Sequence, residues 1–209
     1  ATAGTVQAAL QLGDVDVDAW HALGAGLGLG GGVPANGGRL SYLPTELTLK
    51  AHSLSLDGRR LDAVQAQVQH RVQGDGGHWL AELRARQIQG RIDYRPATAG
   101  DPASGRLMAR LGRLVVPEAE VDQVDSLLDQ ASDGVPALDI VVDNFELKGR
   151  QLGKLEVQAS YRGEGGQDWR LSRLAMTGPD ARLTGSGQWA PGPRRRMALN
   201  FKLDVQDGG

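Results

Sequence analysis

The sequence predicts an all-β protein of antiparallel strands, built from two repeats with one or two short helices. Three observations predict it. Most segments alternate apolar and polar residues with period two, the pattern of a half-buried strand. Clusters of Gly, Pro and Asn punctuate them. The pattern also recurs. Within residues 138–161, Leu138, Ile140 and Val142 share a face, the phase slips at Asp143-Asn144, and Phe145 and Leu147 resume it. Gly149 then turns the chain into Leu152, Leu155, Val157 and Ala159. Earlier, Leu47, Leu49 and Ala51 precede a slip at His52-Ser53, then Leu54, Leu56, a turn at Gly58, and Leu61, Val64, Ala66 and Val68. Leu47 to Leu138 and Gly58 to Gly149 are both separations of 91 residues (138 − 47, 149 − 58), so the units are in register. A slip of phase calls for a bulge or a bend, predicted at both sites.

In chain order, residues 5–17 carry Val6, Ala8, Leu10, Leu12, Val15 and Val17 and read as the last strand of a preceding unit. Asp18 is placed to cap a short helix bearing Trp20 and Leu23, which GAGLGLGGG at 24–32 ends. Residues 1–44 therefore divide from a first repeat at 45–136 and a second at 137–209. In the first repeat a GDGG turn at 74–77 leads into Trp79, and a further strand runs through Ile88, Ile92 and Tyr94. RLMARLGRLVV at 106–116 suits helix or strand; Val115-Val116-Pro117 and Gly112 favour strand. Val121, Val124, Leu127 and Leu128 have helical spacing. In the second repeat GEGG at 163–166 and Trp169 stand where GDGG and Trp79 stood, and MALNFKLDV closes the chain's strands. The count is about eleven strands. The chain starts in mid-strand and ends just after one, which reads as part of something longer.

Composition narrows the function. A net charge of −2 gives no electrostatic case for nucleic acid. There is no cysteine, hence no disulfide framework or thiolate metal site. Apolar content is 40 % but aromatic content only 4 %, so Leu, Val and Ala carry the packing. Asp14, Asp16 and Asp18 open like a calcium loop, but Ala19 and Ala25 stand where it needs Gly and Glu. Gly26 to Gly31 spells GxGxxG without the strand and helix a dinucleotide fold supplies. His21, His52, His70 and His78 have no metal or catalytic spacing, though His52 and His70 lie in strands that place them near each other. Gly185-Ser186-Gly187 lacks the nucleophile elbow, and Arg194-Arg195-Arg196 reads as an exposed hairpin tip. No catalytic residue, metal ligand or cofactor site is expected.

No predicted helix is long enough to cover the apolar face of such a sheet. More sheet, a partner or a ligand must cover it. The candidate lining is Leu47, Leu49, Leu54, Leu56, Val64, Val68, Leu138, Ile140, Phe145, Leu147, Leu155, Val157, Leu199, Phe201 and Leu203. Small residues at inward positions (Ala51, Ala66, Ala85, Ala159, Gly185, Gly187) suggest room for a guest.

Five segments carry a family resemblance: DVDAWHAL (16–23), LTLKAHSLSLDGRRLDAVQAQV (47–68), LDIVVDNFELKGRQLGKLEVQASY (138–161), DWRLSRLAMTGPDARLTGSGQW (168–189) and MALNFKLDV (197–205). A Trp-led strand, a small-Pro-acid turn and a strand through Gly-x-Gly-x-Trp make the most specific phrase. The chain resembles the AsmA-like superfamily, and within it the YhdP family of Gram-negative envelope proteins. The resemblance implies an elongated, curved antiparallel sheet, a taco-like groove, in a periplasmic segment of a long, inner-membrane-anchored protein; the apolar groove carries phospholipid between inner and outer membranes. Implied partners are phospholipid, neighbouring segments of the same chain, and components of either membrane. Physics agrees on one point. A diacyl lipid has roughly 30 methylenes at about 0.8 kcal/mol each, so crossing water unshielded costs on the order of 20 kcal/mol. An apolar trough removes that barrier without catalysis. The alternatives are a closed β-sandwich scaffold or interaction module and, less well supported by so few aromatics, a carbohydrate-active enzyme.

Overall fold

In the computed structural model the alternating segments form eleven strands of one sheet, ordered as in the sequence. They are β1 (Gln7–Asp16), β2 (Glu46–Leu56), β3 (Arg59–Gln73), β4 (Gly76–Arg84), β5 (Ile88–Arg95), β6 (Arg106–Val116), β7 (Ala137–Leu147), β8 (Arg150–Arg162), β9 (Asp168–Thr177), β10 (Ala181–Ala190) and β11 (Arg196–Val205). The structure describes residues 7–17, 19, 45–56, 59–73, 76–98, 105–117, 136–162, 168–190 and 196–205. Gly58, the Gly-rich stretch after Leu23, the helical spacing at 121–128 and the Arg194–Arg196 tip or its start lie outside these residues. The ambiguous 106–116 segment is a strand.

Two pairings are parallel, β1 with β2 and β6 with β7; the rest are antiparallel hairpin neighbours. This corrects the wholly antiparallel expectation. Alternation reports which face is wet and not which way a neighbour runs. A parallel pair needs a long crossover, and the segments before β2 and β7 are long enough to supply one.

The repeat is visible in the element bounds. β2 and β7 are both eleven residues long, and each boundary of β7 lies 91 after that of β2 (137 − 46, 147 − 56). The parallel junctions also match: Leu12 pairs with Ala51 as Leu111 pairs with Val142, with Gly13 and Gly112 just beyond. Lys148 and Gly149 have φ of 51° and 73°, which suits a two-residue hairpin turn with both central residues left-handed.

The phase slip takes two forms. At Asp143-Asn144 the ladder shifts: Val142 pairs with Leu155, and the next partners are Phe145 and Gly153. This is the predicted bulge, and Gly153 opposite it is left-handed at φ 81°. At His52-Ser53 the register is unbroken, Ala51 with Val64 and Ser53 with Asp62, so of the bulge or bend predicted there no bulge forms. The slip is absorbed because neighbouring strands slip together. Apolar Leu12, Ala51 and Val64 align in one row, and Val15, Leu54 and Leu61 in the next. Ala63 takes the strain at φ 53°. The Ser53 hydroxyl donates to Asp14 between those rows.

The Asp16 carboxylate accepts from the Ala19 N–H at 2.9 Å, the reach of a helix cap, and Val17 has already left the strand. Asp18, the cap the sequence suggests, lies outside the described residues.

Among the described residues the sheet is one open layer. Every substantial strand contact is between ladder neighbours, and β1 and β11 do not pair to close a barrel. The accessible surface is 14638 Å², against roughly 9,400 Å² for a compact monomer of this mass. Among the described residues no second sheet packs on it to form a sandwich.

Candidate functional site

Reading the register across the strands shows what single-strand alternation cannot. One row runs Leu10, Leu49, Ala66, Leu83, Gly90, Leu111, Val142, Leu155, Met176, Leu183, Leu203. The next runs Ala8, Leu47, Val68, Ala81, Ile92, Ala109, Ile140, Val157, Leu174, Gly185, Phe201. Each crosses all eleven strands without one polar residue. Adjacent strands stand about 4.8 Å apart, so the ten intervals give a stripe about 48 Å long.

The intervening row, on the other face, is Ala9, Thr48, Gln67, Glu82, Arg91, Arg110, Val141, Glu156, Ala175, Thr184, Lys202. Ion pairs lace this face: Arg110 to Asp139 at 2.9 Å, and Arg173 and Lys154 to Glu156, both at 2.6 Å. The Lys154 ammonium, with Arg173, holds the Glu156 carboxyl below its usual range. Arg60 and Gln87 do the same for Asp62. Each contribution is present above the ordinary carboxylate pKa and is lost as pH falls through the folded value.

The apolar face is the concave one. All seven buried hydrophobics (Ala51, Val64, Ala66, Ala109, Leu111, Val142, Ala159) belong to it. Cross-strand neighbours shield one another most on the face that curls inward, and the buried hydrophobics mark this face as the inner one. The tightest region joins Ala109, Leu111 and Val142, with Ile88, Ile92, Leu114, Ile140, Phe145 and Leu155 packed against them. Phe145 lies on the same cluster as Ile140 and Val142, so the Asp143-Asn144 bulge keeps both halves of β7 facing inward.

Of the predicted lining, Val64 is buried. Leu47, Leu49, Leu54, Val68, Leu138, Ile140, Phe145, Leu147, Leu155 and Val157 are half-buried. Leu199, Phe201 and Leu203 are exposed on β11, an open edge. Leu56 lies in β2, but its side chain is outside the described residues. The predicted lining omitted Leu83, Ile92, Ala109, Leu111, Leu174, Met176 and Leu183, which also belong to the rows. Their own alternation was legible; their alignment needed the register.

Two further expectations are corrected. Gly185 and Gly187 do not leave vacant room: a Cβ at Gly185 would lie 2.7 Å from the Phe201 ring, and at Gly187 it would strike Leu199. The neighbouring strand's large side chains fill those spaces. Ala85 lies past the end of β4, in the turn where its N–H donates to the Ile88 carbonyl. His52 and His70 do not meet. His52 is exposed, while buried His70 stacks on Trp79 with ring centroids 4.2 Å apart. Gly77 makes room for that stack, since a Cβ there would lie 2.7 Å from His70 Nε2.

Among the described residues no three His, Asp or Glu side chains gather as a metal site. What the two rows offer is continuous apolar area along the sheet.

No curated protein and no solved structure matches the chain. The family of the YhdP protein matches residues 1–208. The chain belongs to the YhdP protein family.

Proposed function

We propose that this chain is a segment of a periplasmic groove that shields phospholipid acyl chains on their way between the inner and outer membranes. It acts without catalysis, as part of a protein anchored in the inner membrane. The observation that carries the reading is the pair of uninterrupted apolar rows on the concave side of an open sheet. At about 25 cal/mol per Å² of apolar area removed from water, such a face gains by taking up hydrocarbon along its whole length. The family membership supports the envelope setting.

The open edges support continuation. β11 holds the ladder position in its unit that β6 holds in the first, and β6 pairs onward with β7. Strands from neighbouring segments of the same chain would extend the groove at both ends. The scaffold reading requires a closed apolar core, which a single layer does not provide.

Native mass spectrometry of the chain purified from cells, with lipid extraction alongside, tests the proposal. Phospholipid is expected to co-purify and to reload from phospholipid vesicles after stripping. A folded chain that carries no phospholipid before or after exposure to vesicles sinks it.

A further inference from the structure

The groove has two unlike rims. Each Trp and Tyr among the described strand residues falls at the same end of the strands. Trp79 pairs with Tyr94, and Trp169 pairs with both Tyr161 and Trp189. These sit at the ends of β5, β8 and β10 and the starts of β4 and β9. The two units repeat the arrangement. The phenylalanines, which lack a polar handle, lie elsewhere: Phe145 beyond the bulge at the opposite end and Phe201 mid-strand. Charge does not distinguish the rims. Arg95, Arg106 and Arg170 are exposed at the aromatic end, and Arg60, Arg86 and Lys148 at the other.

Amphipathic aromatics gather where one side is apolar and the other is wet and polar, as at the headgroup level of a membrane. A second observation points to an acceptor. Trp169 Nε1 is buried and has no hydrogen-bond partner among the described residues. An unmet buried donor costs free energy, which favours a turn of the indole about its Cβ–Cγ bond toward an oxygen at the groove surface.

Resting on the lipid-groove reading above, we infer that the aromatic rim binds the glycerol-ester level of a diacyl phospholipid, with Trp169 Nε1–H donating to an acyl ester carbonyl. The acyl chains then point along the strands toward Phe145, and the phosphate lies outside, within reach of rim arginines such as Arg170. The ester carbonyl is the lipid oxygen nearest hydrocarbon, and it suits a donor seated below the rim better than the phosphate does.

The test uses the full-length protein and two pairs of probes. Phosphatidylethanolamine with a diazirine next to the glycerol is expected to label Tyr161, Trp169 and Trp189. The same lipid with the diazirine at the acyl terminus is expected to label the side of Phe145. Separately, diacyl and dialkyl ether phosphatidylethanolamine are compared for binding. The wild type should favour the ester lipid roughly two- to tenfold, the effect of one hydrogen bond. Trp169→Phe keeps an apolar ring and should erase that preference while still binding both lipids. Glycerol-proximal label at the Phe145 end, or equal label at both, overturns the inference and leaves the groove standing. So does a Trp169→Phe variant that keeps the ester preference or weakens both lipids equally. No labelling of the apolar face by either probe removes the groove reading itself, and this inference with it.

Discussion

An aspartate at Val142 should unfold the centre of the sheet, whereas one at Phe201 should leave it folded and cost it its lipid. Both residues belong to the concave apolar face, Val142 at 0 % exposure and Phe201 at 56 %. Val142 lies between Leu111 and Leu155 in a cluster of apolar side chains. Burying an unpaired charge there is expected to cost about 4 kcal/mol or more, a large share of a stability typically about 5–15 kcal/mol. At Phe201 water reaches the carboxylate in the empty groove, so the loss of stability should be small. With lipid present, the same carboxylate stands among acyl chains, and binding should fall. Lys202→Asp, one residue along on the polar face, gives up an exposed ion pair with Asp204 at 3.2 Å and should change little in either respect. Denaturant unfolding and lipid co-purification, measured on all three variants, separate the effects. A Phe201→Asp protein that binds lipid normally would count against the groove.

A graded series of glycine-to-alanine changes should rank by backbone geometry. Gly153→Ala is expected to be the worst. Its φ of 81° is left-handed, and a Cβ there would collide with the Thr177 carbonyl and lie 2.9 Å from Gly178 Cα. These are backbone atoms and cannot swing aside. The left-handed conformation alone costs an alanine about 1–2 kcal/mol, and the collision raises the loss to about 2–4 kcal/mol. Gly149→Ala has φ of 73° but nothing within 4 Å, so only the conformational part should appear. Gly112→Ala has nothing within 4 Å and no such φ, and should be close to neutral. Urea midpoints for the three variants check the order. Equal losses at Gly112 and Gly153 would mean that the bulge at Asp143-Asn144 does not depend on the glycine opposite it.

Much of this fold was written in strand-level alternation. Leu138, Ile140, Val142, Phe145 and Leu147 announced both the strand and its bulge, because a period-two pattern that skips a residue leaves little else for the backbone to do. The same skip at His52 produced no shift of register, since Leu12–Val15 and Leu61–Val64 skip in step with it. That cooperation is a property of three strands together. Strand direction was likewise hidden: Ala109 opposite Ile140 looks the same in sequence whether the pair runs parallel or antiparallel. The lining of the groove was half legible. Individual strands declared their apolar faces, but the eleven-strand rows depend on register. The room expected at Gly185 was already filled by Phe201, from a strand more than ten residues away in the chain.

The central claim is that the concave apolar face, and only that face, meets lipid. Photoreactive residues placed one at a time at Leu199, Asn200, Phe201, Lys202, Leu203 and Asp204 of the full-length protein in living cells test it most directly. All six are exposed, so accessibility alone does not favour one set. The account predicts phospholipid adducts at Leu199, Phe201 and Leu203 and none at Asn200, Lys202 and Asp204. Adducts that ignore the two-residue period, or none at the apolar three, would contradict it.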